Sequence, residues 1–165
     1  MRLYQLYSKQ ALPISQKEAW DFLSNPANLK TITPARMGFN ILSGSERKMF
    51  PGQIIQYKVS PFIGYSTKWV TEITHVKEGE YFVDEQRFGP YQLWHHKHFI
   101  KVIPGGIEME DIIDYKIPFG IIGQLAHSIL IKKQLSEIFS YREKVLHQLF
   151  GVLNPQSKVL QFKSI

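Results

Sequence analysis

The chain predicts an α+β domain, an antiparallel sheet of about seven strands curved over one long C-terminal helix. Three observations carry this. Apolar and polar residues alternate in successive segments, each bounded by Pro or Gly. The connections between these segments are short, which specifies an antiparallel meander. From Ile121 to Phe150 the apolar spacing changes to steps of three and four, that of a single amphipathic helix. A lone helix of that length must cover one face of the sheet.

The elements follow in order. Residues 2–12 alternate as a first strand, which Pro13 ends. Ser15 caps a short helix running to about Leu23, with Glu18 as its capping-box partner. Pro26 opens a second short helix through Ile32. Strands are then expected at Phe39–Leu42, Gln53–Ser60, Tyr65–Val76, Tyr81–Phe88, Tyr91–Val102 and Ile107–Ile117. Pro61 and Gly64 mark one connection, Lys77–Glu80 is a hairpin turn and Pro104-Gly105-Gly106 another. In the long helix, Leu125, Ile129, Leu135, Ile138, Phe139, Arg142, Val145, Leu146 and Leu149 form one stripe, and Gly151 is its natural stop. Residues 1–150 read as the domain, and residues 151–165 as a loose tail.

Composition sets bounds. A chain of 165 residues suits one domain that buries about two thirds of its unfolded surface. With no cysteine there is no disulfide framework, thiolate nucleophile or Cys-based zinc site, which fits a cytoplasmic protein. No run is apolar and long enough to be a signal peptide or a transmembrane helix. The net charge of +6 is scattered without a clustered stripe, so it reads as a solvated surface and implies no specific nucleic-acid partner. Nothing in the pattern specifies an oligomer.

The stretch from Gly89 to Gly120 carries the most chemistry. Trp94, His96, His98 and Ile100 share one strand face, and Met109, Asp111, Ile113 and Tyr115 share a face of the next strand. These sets meet on one wall of a sheet. An apolar wall studded with His, Asp and Tyr suits a lined cavity better than a dry core.

The motifs together resemble the START/Bet v 1-like (SRPBCC) superfamily, and in particular its bacterial ligand-binding branch of uncharacterised proteins. The residues that carry the likeness begin with Pro13-x-Ser15 leading into Glu18-Ala19-Trp20-x-Phe22-Leu23. They continue through Trp69-x-x-Glu72-Ile73 and Phe82-x-Asp84-x-Gln86 with Gly89-Pro90-Tyr91. Trp94-x-His96-x-His98-Phe99, Asp111-x-x-x-Tyr115 and Pro118-Phe119-Gly120 complete the set, which spans roughly residues 1–150. The resemblance implies a helix-grip fold with a cavity between sheet and long helix for a hydrophobic or amphipathic small molecule. It transfers no catalytic signature.

Within that reading, Tyr57, Trp69, Phe82, Trp94 and Tyr115 supply apolar surface, and Asp84, Gln86, His96, His98 and Asp111 supply polar anchors. His96 and His98 lie about 7 Å apart along the strand, and with Asp111 as third ligand they would make a minimal metal set. The preferred reading holds them as cavity-lining groups satisfied by Asp111, Tyr115 or each other, with no metal and no cofactor. His95 points the other way. The alternative function is a cyclase- or dehydratase-type enzyme with His96 or His98 as base and Asp111 orienting it. No nucleophile or oxyanion element accompanies these groups, so a small-ligand carrier or sensor is the expected function.

Overall fold

The computed structural model describes residues 2–62, 65–118, 130–153 and 158–165. The elements are β1 (Tyr4–Leu12), α1 (Gln16–Leu23), 3-10 turns at Pro26–Lys30 and Ala35–Met37, and β2 (Asn40–Ser43). There follow β3 (Gln53–Phe62), β4 (Tyr65–Lys77), β5 (Tyr81–Phe88), β6 (Leu93–Ile103) and β7 (Gly106–Lys116). The long helix α2 (Lys132–Phe150) and β8 (Val159–Ser164) close the chain. One eight-stranded sheet holds every strand in the order β2-β3-β4-β5-β6-β7-β1-β8, and its neighbours pair antiparallel.

Local chemistry accounts for these boundaries. The Ser15 Oγ accepts from the Glu18 N–H at 3.2 Å while the Glu18 carboxylate accepts from the Ser15 N–H at 2.9 Å, a complete capping box that starts α1. The second predicted helix forms only a 3-10 turn from Pro26, with the Asn25 side chain accepting from the Ala27 N–H. β3 continues past Pro61 to Phe62, but its register on β4 shifts beyond Val59. A residue without an N–H breaks the ladder there. At the β6–β7 turn, a Cβ on Gly106 would lie 2.1 Å from the Leu12 carbonyl oxygen, so only glycine lets the hairpin pack against the end of β1.

Helix α2 buries Gln134, Leu135, Phe139, Arg142 and Leu146, one stripe at steps of one, four, three and four. Leu135 and Phe139 pack with Tyr4, Leu6, Trp94, Ile113 and Tyr115 on the inner face of β1, β6 and β7. Leu146 joins Leu12, Trp20, Phe82, Ile100 and Met109 at the other end. Leu125 and Ile129 of the predicted stripe lie outside the described residues.

One expectation is corrected. The last fifteen residues are not simply a loose tail, because Val159–Ser164 forms β8 against β1, with Leu160 opposite Ser8 and Phe162 opposite Leu6. Leu160 and Phe162 pack on the cluster around Leu6 and Ile113. The Lys158 Nζ pairs with the Glu143 carboxylate of α2 at 2.6 Å, and the Lys132 Nζ sits 5.5 Å from the centre of the Phe162 ring. Without β8, β1 would be a bare edge. Among the described residues no helix is long and apolar enough to cross a membrane.

Candidate functional site

The site grows from the register of β5, β6 and β7. On the inner face Asp84 is opposite His96, Phe82 is opposite His98, and His98 is opposite Asp111. The two imidazoles stack with centroids 3.7 Å apart, and the Phe82 ring stacks on His98 at 4.1 Å and 18°. Trp94 meets His96 edge-on. This stack fixes both rings in place between two carboxylates.

Asp111, fully buried, stands behind the stack. Its Oδ1 lies 3.0 Å from His96 Nε2, 2.8 Å from His98 Nδ1 and 3.2 Å from the Arg142 Nη1 that α2 delivers. The His98 contact is short but poorly aligned, so His98 Nδ1 makes no directed hydrogen bond there. Asp84 stands on the other side, with Oδ2 2.8 Å from His98 Nε2 and 3.6 Å from His96 Nδ1.

The electrostatics follow from this geometry. Burial pushes His96 down to about 4, and the positive charge of His98 adds to that, against the pull of Asp111 and Asp84. Burial also works against a charged His98, but the Asp111 and Asp84 contacts outweigh it and raise this imidazole. Burial opposes ionisation of Asp111 too, yet Arg142 and the two histidines hold it well below the usual carboxylate range. Asp84 is likewise lowered, its desolvation offset first by the hydrogen bond from His98. Two carboxylates therefore face one guanidinium and one imidazole whose protonated form they favour, while burial disfavours charge on His96.

In front of this cluster opens a pocket of about 890 Å³. Its floor is Asp84, His96 and His98; its walls are mainly apolar, from Ile55, Val59 and Ile73 on the sheet, Leu29 and Ile32 beside α1, and Phe139 on α2. Of the residues singled out from sequence, Tyr57, Trp69, Phe82, Asp84, Trp94, His96 and His98 line it together. Burial raises the phenol of Tyr57, which keeps it neutral and a hydrogen-bond donor.

The structure places the other three elsewhere. Tyr115 is fully buried, stacked on Tyr4 with centroids 5.8 Å apart. Asp111 is screened from the pocket by the histidines it holds. Gln86 is not a wall residue: its Nε2 donates to the Tyr91 carbonyl at 2.6 Å and its Oε1 accepts from the Tyr91 N–H at 3.2 Å. Gly89 has no Cβ because one would lie 2.6 Å from the Gln86 Cδ. The Gln86–Gly89–Tyr91 motif is thus a clamp. It sets Tyr91 against Trp94 and Trp69, with centroids at 4.7 Å and 5.7 Å.

Arg142 and Gln134 are among the site residues that sequence reasoning passed over as functional groups. Arg142 had a signal: a charged residue in register with Phe139 and Leu146 on an apolar stripe requires a buried partner. Gln134 had none.

No protein-family model matches the chain, and no curated protein matches it in sequence. Solved structures do match in three dimensions. Protein CV1439 from Chromobacterium violaceum aligns with a TM-score of 0.67 at 13% identity, over 89% of this chain and 97% of that one. Ginseng major latex-like protein 151 from Panax ginseng aligns with a TM-score of 0.65 at 12% identity, over 90% and 97%. Ara h 8.0201 aligns with a TM-score of 0.58 at 12% identity, over 88% and 99%. Identities this low speak for architecture alone. Strand order, the helices after β1 and the long C-terminal helix agree with it, and this chain has the same helix-grip architecture as these structures.

Proposed function

We propose that the protein binds a small hydrophobic or amphipathic molecule in the pocket between its sheet and α2, as a cytoplasmic carrier or sensor. The observation that carries this reading is the pocket itself, about 890 Å³ of mostly apolar wall with one compact polar cluster at its floor. That volume and that distribution suit a drug-sized or lipid-like molecule whose apolar body is buried and whose polar end is oriented. Trp69, Tyr91 and Trp94, packed edge-on and tilted against one another, give an aromatic corner for the body. Asp84, His98 and Gln134 offer hydrogen-bonding groups for the polar end.

The test pairs two measurements. Native mass spectrometry of protein purified from its own host should show a retained small molecule. Titration of the emptied protein with a polarity-sensitive apolar dye should quench Trp69 and Trp94 emission and saturate at one dye per chain. Val59→Phe together with Ile55→Phe fills the apolar wall and should abolish dye binding in a protein that still melts cooperatively. Binding unaffected by that double substitution would sink the reading, because the dye would then sit elsewhere.

A further inference from the structure

We propose that Asp84, His96 and His98 form a binding site for one divalent transition-metal ion at the floor of the pocket, with Asp111 as the buried carboxylate behind both imidazoles that orients His96. The three side chains offer one carboxylate oxygen and two imidazole nitrogens within 4.8 Å of one another. Ligand atoms at about 2.0–2.2 Å from a tetrahedral ion sit roughly 3.3–3.6 Å apart. The Asp84 Oδ2 is already 3.6 Å from His96 Nδ1 and 2.8 Å from His98 Nε2, so small side-chain rotations complete the set.

The far sides of the rings carry the stronger argument. His96 Nε2 and His98 Nδ1 both approach the same Asp111 oxygen, at 3.0 and 2.8 Å. Metal-binding histidines characteristically donate their second N–H to a buried carboxylate, which sets the tautomer and aims the free nitrogen. For His96 that tautomer turns Nδ1 to the side where Asp84 stands; His98 already hydrogen-bonds Asp84 through Nε2, and a metal ion would take the place of that proton. An imidazole donating Nε2–H to Asp111 presents its Nδ1 lone pair to the Asp84 carboxylate at 3.6 Å, two electron-rich groups facing each other. A cation between them satisfies both.

Charge and access agree. Asp111 has its own counter-ion in Arg142, which leaves Asp84 as the anionic ligand. Coordination positions beyond these three face the open pocket. Two nitrogens and one carboxylate select zinc or iron(II) over magnesium or calcium, which prefer all-oxygen shells. This departs from the sequence reading, which assigned no metal and weighed Asp111 as the third ligand. Asp111 lies on the wrong side of the rings for that. The site does not depend on the pocket accepting an apolar molecule.

Chelator-stripped, tag-free protein titrated with Co²⁺ alone provides the test. One Co²⁺ per chain should bind at micromolar protein, with visible d–d absorption that Zn²⁺ abolishes by displacement. Asp84→Asn, which keeps volume and hydrogen-bonding capacity, should erase the d–d bands, and His98→Gln should do the same. Asp111→Asn should weaken binding about 10- to 100-fold. The double variant His75→Ala/His95→Ala, which removes histidines outside the pocket, should behave as wild type. The proposal is overturned if wild-type protein takes up no stoichiometric Co²⁺ or Zn²⁺. It is overturned equally if uptake survives Asp84→Asn and disappears in the double variant. The wild-type titration and the Asp84→Asn variant decide the matter even if His98→Gln fails to fold. No apolar compound is present, so the outcome is independent of the dye experiment.

Discussion

Strands β5, β6 and β7 carry two sets of acid–base pairs, one on each face, built from nearly the same residues. On the inner face His96 and His98 stand between Asp84 and Asp111. On the outer face, one residue away, His95 Nδ1 lies 2.9 Å from the Glu85 carboxylate and the Lys97 Nζ lies 2.7 Å from that of Asp114. The bond lengths are alike. What differs is the medium. Inside, Arg142 must come from another element to balance the charge, whereas the outer pairs have water to help. Equal geometry therefore carries unequal energetic weight, because solvent screening discounts the outer set and burial amplifies any imbalance in the inner one.

The sharpest way to break this comparison is Asp111→Ala. It leaves Arg142 and His98 buried without their shared counter-ion, and removing one partner of a buried pair typically costs about 3–5 kcal/mol. Urea denaturation of this variant beside Asp114→Ala is the measurement. If the two lose the same stability, water entering the pocket is solvating the inner charges and the distinction between the faces fails. Adding Arg142→Met to the Asp111→Ala background should restore part of the loss, because it takes away the orphaned guanidinium.

Next in size is the edge strand. Phe162 of β8 faces the cluster around Leu6, while Gln161 faces outward. Because Phe162 is only half-buried, Phe162→Ala should cost about half of the roughly 3–5 kcal/mol of a fully buried ring. Gln161→Ala should stay within about 0.5 kcal/mol. Thermal melts of the two variants read the difference directly. Equal melting temperatures would mean that β8 adds backbone pairing but no apolar packing.

Loss of the Gln86 clamp should cost less again. Gln86→Ala removes both hydrogen bonds to Tyr91, at about 1 kcal/mol each, and frees the loop that presents Tyr91 to the two tryptophans. Its signature is local. Amide exchange of Tyr91 should rise well above that of β6, with a modest drop in melting temperature. Unchanged exchange at Tyr91 would show that Pro90 and ring packing hold the loop without the clamp.

How much of this was legible depended on what sets each feature. Period-two alternation put Trp94, His96 and His98 on one face and His95 on the other, because side-chain direction in a strand is a local property. It also put the His96–His98 face and the Asp111–Tyr115 face on one wall, since a short Pro-Gly-Gly turn joins the two strands; the pairing of His98 with Asp111 came from the structure. Depth was not legible. Asp111, Tyr115 and Gln86 read as pocket-lining on the same alternation that put Asp84 and Phe82 on the inner face. Which inward residue meets the hollow and which lies behind a neighbour depends on where α2 and the turns after α1 come down. β8 was missed for a related reason. A six-residue segment with two inward apolar side chains has too little pattern of its own, and becomes a strand because β1 offers it an edge. Arg142 was the one long-range partner with a local trace, a charge inside an apolar stripe.

The smallest expected effect tests the outer face alone. Burial raises the Asp114 carboxyl, but hydrogen bonds from Lys97 and Gln5 outweigh it and leave the group below its ordinary value. A carboxyl lowered on folding stabilises the protein above its unfolded value, and that contribution is lost as the pH falls through its folded value. Asp114→Asn keeps the shape and most of the hydrogen bonding but drops the charge. At neutral pH it should cost less than about 1 kcal/mol after solvent screening, and the difference from wild type should vanish as the solution is acidified below the aspartate range. Melting temperatures of the two proteins from neutral to acid pH give both the size and the sign. A gap that persists in acid would trace the loss to packing against Gln5 rather than to charge, and the outer face would then no longer be a screened electrostatic counterpart of the inner one.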